Sequence, residues 1–117
     1  MSDSKEYVSR SDELGNIHIS EEVLATIAAA AALEVEGVSS LASAGKKNLA
    51  KDVRVKMEGD KVQVELSVLM TYGATIPEMG KAVQDAVKTA IESMSGLEVY
   101  AVNVNVGGIT FLPKETV

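Results

Sequence analysis

The stretch "VRVKMEGDKVQVELSVLM", Val53 to Met70, constrains the fold more than any other part of this chain. Val53, Val55 and Met57 alternate with Arg54 and Lys56. Val62, Val64, Leu66, Val68 and Met70 alternate with Gln63, Glu65, Ser67 and Leu69. Period-2 patterning on both sides of Gly59-Asp60 predicts a β-hairpin. A two-residue turn there places Glu58 opposite Lys61, Lys56 opposite Gln63 and Arg54 opposite Glu65. The other face pairs Met57 with Val62, Val55 with Val64 and Val53 with Leu66. Apolar residues meet apolar ones and opposite charges meet. A slip of one residue exchanges the two faces and destroys both patterns.

Two helices flank this hairpin. Ser20 is a good N-cap, Glu21 and Glu22 suit the positive end of a helix dipole, and Ile19 and Leu24 occupy staple positions around the cap. The helix is expected to run to about Glu36, with Gly37 in the left-handed position past its end. It contains five consecutive alanines, Ala28 to Ala32. The apolar run Val23 to Leu33 is 11 residues long, whereas a membrane span needs about 20. Alanine has the highest helix propensity, so a capped helix explains the run better than low complexity. On a helical wheel, Val23, Leu24, Ile27, Ala28, Ala31 and Val35 are expected to face the sheet. Ala25, Ala29, Ala32 and Leu33 are expected to face outward beside Glu22 and Thr26, as a smooth self-association surface.

"TIPEMGKAVQDAVKTAIESMSG" predicts the second helix, with a capping box from Thr75 and Glu78 and with Pro77 in the first turn. Ile76, Met79, Val83, Val87, Ala90, Ile91 and Met94 form its expected buried stripe, and Gly96 ends it. "LEVYAVNVNVGGITF" follows as a strand, with Tyr100, Val102, Val104 and Val106 on one face and Ala101, Asn103 and Asn105 on the other. Ile17 to Ile19 supplies a short first strand, and Val38 to Asp52 reads as a flexible connection.

The expected order is β-α-β-β-α-β: an α+β two-layer sandwich, two helices on one face of a three- or four-stranded, mostly antiparallel sheet. The polar hairpin positions leave the other face wet, and a split βαβ arrangement is one candidate topology. One domain is expected over residues 15–111, between a polar, disordered N-terminal tail over 1–14 and a C-terminal tail over 112–117.

The chain has 117 residues, a formal net charge of −6 and no cysteine. Thiol chemistry, disulfides and cysteine-ligated zinc are excluded. The acidic balance disfavours phosphate backbones, and one phenylalanine and three tyrosines leave few stacking platforms. Nucleic acid is therefore not an expected partner. The start "MSDSKEYVSRSDELG" lacks the apolar core of a signal peptide, so a cytoplasmic location without membrane insertion is expected. His18 has no second histidine to share a metal or a triad. "GVSSLASAGKK" places seven residues between Gly37 and Gly45, where a phosphate-binding loop needs four. The carboxylates are scattered and give no sign of convergence in a cleft. No catalytic residue, cofactor or metal is expected. Lys46, Lys47 and Lys51 form a basic cluster with Arg54 and Lys56 in an acidic chain, a candidate contact for an acidic partner.

Three stretches together, "GNIHISEEVLATIAAAAALEVEGVSSL", "AGKKNLAKDVRVKM" and "VLMTYGATIPEMGKAVQDAVKTAIESMSGLEVYAVNVNVGGITF", resemble the alkaline shock protein family of Gram-positive bacteria. The resemblance spans about residues 15 to 111. It implies a small, non-enzymatic cytoplasmic protein linked to cell-envelope stress, with no established catalytic residues to carry over. Some family members are tethered at the membrane by a partner protein. A branch similar in length and in "GKKN" is associated with acetyl-CoA carboxylase and fatty-acid synthesis. The leading expectation is a self-associating scaffold or regulator, a homo-oligomer that also binds other proteins. The alternative is a small-ligand sensor of fatty-acid synthesis, which an apolar cavity between helices and sheet would favour.

Overall fold

The computed structural model describes residues 7–12, 15–42 and 52–111. Its elements are β1 (Tyr7–Asp12), β2 (Gly15–Ser20), α1 (Glu21–Leu33), β3 (Val38–Leu41), β4 (Val53–Glu58), β5 (Lys61–Thr71), α2 (Ile76–Ser95) and β6 (Glu98–Thr110). The fold is α+β; among the described residues, two helices lie over one face of a four-stranded sheet. The basic cluster Lys46, Lys47 and Lys51 lies outside the described residues, as do the C-terminal residues 112–117.

The hairpin β4–β5 forms in the register that its side chains dictate. Glu58 lies opposite Lys61, Lys56 opposite Gln63, Arg54 opposite Glu65, and Val53 opposite Leu66. Gly59 has φ of +64°, a left-handed position that glycine adopts without strain. Val62, Val64, Leu66 and Val68 are fully buried under the helices, while Arg54, Lys56 and Glu65 face water.

β5 is the central strand. It outlasts β4 by about five residues, and β3 pairs antiparallel with that remainder, placing Val38 opposite Met70 and Leu41 opposite Val68. β6 runs parallel along the whole opposite edge of β5, and α2 supplies the crossover that a parallel pair requires. Val38 to Leu41, expected within a flexible connection, is therefore a strand. Unpaired backbone groups on the second half of β5 would otherwise be left without partners.

The first expected strand does not join this sheet. β2 pairs antiparallel with β1 in a separate hairpin, Val8 opposite Ile19 and Arg10 opposite Ile17. Tyr7 to Asp12 is thus a strand and not part of a disordered tail, and the split βαβ arrangement is not formed.

Ser20 caps α1 as expected, its Oγ accepting from Val23 N–H at 3.2 Å. The buried face of α1 differs from the wheel. Leu24, Ala25, Ala28, Ala29 and Ala32 are buried, whereas Val23 and Leu33 are about half exposed. The arc has turned by about a quarter of a revolution, because α1 packs against α2 as well as against β3 and β4. Small side chains allow that close double contact. Gly37 extends it: with φ of +104°, it sits where a Cβ would lie 3.1 Å from Met79 Cγ and 3.2 Å from Ala74 Cβ. α1 ends at Leu33, earlier than Glu36, and a turn carries the chain to Gly37.

α2 buries Met79, Val83, Val87 and Ile91, a strict ladder of fours that ends on Ser95 instead of Met94. Ser95 Oγ donates to Ile91 C=O at 2.6 Å and accepts from Leu97 N–H at 3.1 Å, so its burial is satisfied. Ile76 and Met94 are exposed. Thr75 precedes the helix without a side-chain cap, so the Thr75–Glu78 capping box does not form.

Candidate interaction surface

The outer edge of β6 falls into two halves. Val99 N–H donates to Glu92 Oε2 at 2.9 Å, and Val99 C=O accepts from Lys88 Nζ at 3.1 Å. Lys88 and Glu92 also pair with each other at 2.8 Å. One turn earlier on α2, Gln84 Nε2 donates to Val102 C=O at 3.0 Å. Gln84, Lys88 and Glu92 are spaced by four, so one helix flank reaches over the edge and partners Val99 N–H, Val99 C=O and Val102 C=O. The Glu92 carboxyl is held below its ordinary value of 4.5, first by the Lys88 hydrogen bond and then by Val99 N–H.

The next position in that series is Gly80, which has no side chain to extend. Val102 presents its carbonyl outward, so strand alternation presents the N–H and C=O of Val104 and Val106 outward too. Among the described residues, no side chain caps them and no strand pairs with this edge. Asn105 lies on the wet face, with Nδ2 donating to Glu65 Oε2 at 3.2 Å.

Two bulges bound this open segment. Val62 lies opposite Val99 but Gln63 lies opposite Ala101, so Tyr100 is the extra residue. This turns Tyr100 away from the face of Val102, Val104 and Val106 with which alternation groups it. Tyr100 is 44% exposed, its hydroxyl 3.3 Å from Gln63 Oε1. Lost hydration and then the Glu58 carboxylate push its phenol above the ordinary value. The second bulge is at Gly107.

β5 and β6 end, and α2 begins, at the same end of the sheet. Four large apolar side chains are exposed there: Tyr72 at 65%, Phe111 at 68%, and Ile76 and Ile109 at 51% each. Tyr72 and Phe111 stack with ring centroids 4.8 Å apart, and Tyr72 N–H donates to Thr110 C=O at 2.9 Å. Phe111 therefore covers Tyr72 and not the core.

The expected self-association face on α1 is not a surface. Ala25, Ala29 and Ala32 are 8%, 5% and 0% exposed, and only Leu33 of the four reaches solvent. Sequence reasoning missed the β6 edge. The four-residue spacing of Gln84, Lys88 and Glu92 is its visible signal, but the spacing does not say what those side chains reach. Among the described residues, no group of three or more His, Asp or Glu converges as a metal site. A depression lined by Pro77, Glu78, Lys81, Ala82 and Asp85 lies on α2 alone, with no second element to close it. Among the described residues, no helix is long and apolar enough to cross a membrane.

Comparison with known proteins gives the same architecture and a family. The chain resembles solved structures of MamM CTD at a TM-score of 0.51 and 15% identity, covering 74% of this chain and 93% of that one. This is a likeness of fold. It is 32% identical to YloU of Bacillus subtilis (strain 168), over 81% of this chain and 88% of that protein. It is 36% identical to Spy1614 of Streptococcus pyogenes serotype M6, again over 81% and 88%. The model of the alkaline shock protein family, described as having a cell envelope-related function, matches residues 9–111. With nearly the whole described domain inside that match, the chain belongs to the alkaline shock protein family.

Proposed function

We propose that this protein is a non-enzymatic, self-associating scaffold or regulator in cell-envelope homeostasis, working through protein–protein contact. The observation that carries this reading is the exposed apolar end of the sheet, Tyr72 stacked on Phe111 with Ile76 and Ile109 at the same end. Exposed aromatic residues grouped in this way favour association. Lys46, Lys47 and Lys51 are proposed as a separate contact for an acidic partner. A membrane-anchored family partner and acetyl-CoA carboxylase are the two partners that the family resemblance brings forward.

The test is the mass in solution. Light scattering after size exclusion should give an oligomer for the parent protein. The double variant Tyr72→Ser, Phe111→Ser should bind fewer partners in a pull-down from native cells, with an unchanged circular dichroism spectrum. A parent that stays monomeric at high concentration rules out self-association. Partner profiles identical for parent and variant rule out the aromatic end as a contact.

A further inference from the structure

We infer that the open half of the β6 edge is where two copies join, by antiparallel pairing of Asn103–Gly107 across a two-fold axis at Asn105. This rests on the self-association reading and names the surface that performs it. Among the described residues, the outward-facing N–H and C=O groups at Val104 and Val106 form an unfilled hydrogen-bonding template. The capped half, Val99 to Val102, is closed to a partner by Gln84, Lys88 and Glu92. That leaves one register in which the outward groups of both copies meet: Val104 opposite Val106 of the second copy, and Val106 opposite its Val104. Each of these pairs exchanges both backbone bonds.

The side chains suit a second copy of the same edge. Asn105 would face Asn105 on the wet side, amide to amide, and Val104 would face Val106 on the helix side. Gly107 would lie opposite Asn103 and offers no clash. Charge points the same way. The chain carries a net charge of −6, yet Val99 to Leu112 is a 14-residue stretch without a charge. Two acidic molecules can meet there without like charges opposed, and no lysine or proline guards the segment. Gly80 leaves the flank of α2 bare beside it.

Disulfide trapping tests the register, because the chain has no cysteine of its own. Asn105 and its symmetry mate form a non-hydrogen-bonded pair, with Cα atoms about 4.5 Å apart, inside the disulfide range of about 4.4–6.8 Å. Asn105→Cys should convert under mild oxidation to a covalent dimer at least tenfold faster than Asn103→Cys. Position 103 of one copy lies four residues along the strand from its own mate, about 14 Å at ~3.4 Å per residue. Asn105→Lys, which opposes two charges at the axis on an exposed face, should lower the mass to that of the monomer with unchanged circular dichroism. An oligomeric parent whose Asn105→Cys variant forms no covalent dimer, or forms it no faster than Asn103→Cys does, overturns the edge and leaves self-association standing. A monomeric parent overturns both. An oligomeric parent whose mass is unaffected by Asn105→Lys also overturns the edge.

Discussion

The two helices lie side by side on the same face of the sheet yet are built on different plans. α1 (Glu21–Leu33) buries Leu24 and four alanines over a broad arc, because α2 closes one side of it and strands β3 and β4 the other. α2 (Ile76–Ser95) buries a narrow ladder of large residues, Met79, Val83, Val87 and Ile91. Its flank does polar work, with Gln84, Lys88 and Glu92 reaching the backbone of β6. A helix closed in by two neighbours gains from small residues that let both come near. A helix beside a free sheet edge gains from long ones that can cross it. Side-chain size on α1 and α2 therefore reports how closely each helix is enclosed by what it packs against.

A lysine placed on each helix should break this contrast most sharply. Ala29 is 5% exposed, so Ala29→Lys drives an ammonium into the packed interface of α1. An unpaired buried charge costs several kcal/mol, about 3 or more, enough to unfold a domain of marginal stability. Ala82 on α2 is exposed, and Ala82→Lys should stay within about 0.5 kcal/mol of the parent. Thermal melts followed by circular dichroism measure both. Equal melting temperatures for Ala29→Lys and the parent would show that α1 is not enclosed.

Enlarging a small residue comes next in size. Ala32 is fully buried, and Ala32→Leu should cost about 1–3 kcal/mol by overpacking, read as a lower urea midpoint with unchanged slope. A gain in stability would mean that the alanines leave space instead of permitting close contact.

How far the sequence reveals this contrast depends on the range over which each feature is decided. The β4–β5 register is readable because a two-residue turn fixes it locally, and every expected pair from Glu58–Lys61 to Val53–Leu66 is present. α2 is largely readable because its apolar ladder stands out against charged residues. The face of α1 is not, because "EEVLATIAAAAAL" has little contrast around the wheel and tertiary contacts choose the orientation. β3 leaves a trace in the mismatch between six-residue β4 and eleven-residue β5. The bulge at Tyr100 leaves none, since an inserted residue in an apolar strand looks like continued alternation. The same lack of contrast that turns α1 also puts the expected interaction surface on the wrong helix face. The β6 edge becomes visible only when α2 and β6 are seen together.

The smallest expected effect concerns the polar flank of α2 and is separated from the rest by pH. Glu92 Oε2 accepts from Lys88 Nζ at 2.8 Å and from Val99 N–H at 2.9 Å, so both partners favour the ionised carboxylate. Its proton affinity is lower in the folded protein than its ordinary value of 4.5. Unfolding therefore takes up a proton in acid. The stabilisation is present in full above that ordinary value and is lost as pH falls through the depressed folded value. Glu92→Gln removes the charge but keeps an oxygen for Val99 N–H. Its melting temperature should lie slightly below the parent's at pH 7, and the two should converge as pH falls below 4.5. The comparison must be a difference between the two proteins, because every other carboxylate titrates in both. Both side chains of the Lys88–Glu92 pair are partly exposed, so about 1 M salt should shrink the gap at pH 7 as well. A gap that persists unchanged from pH 7 into acid would mean that shape, and not charge, fastens α2 to the β6 edge.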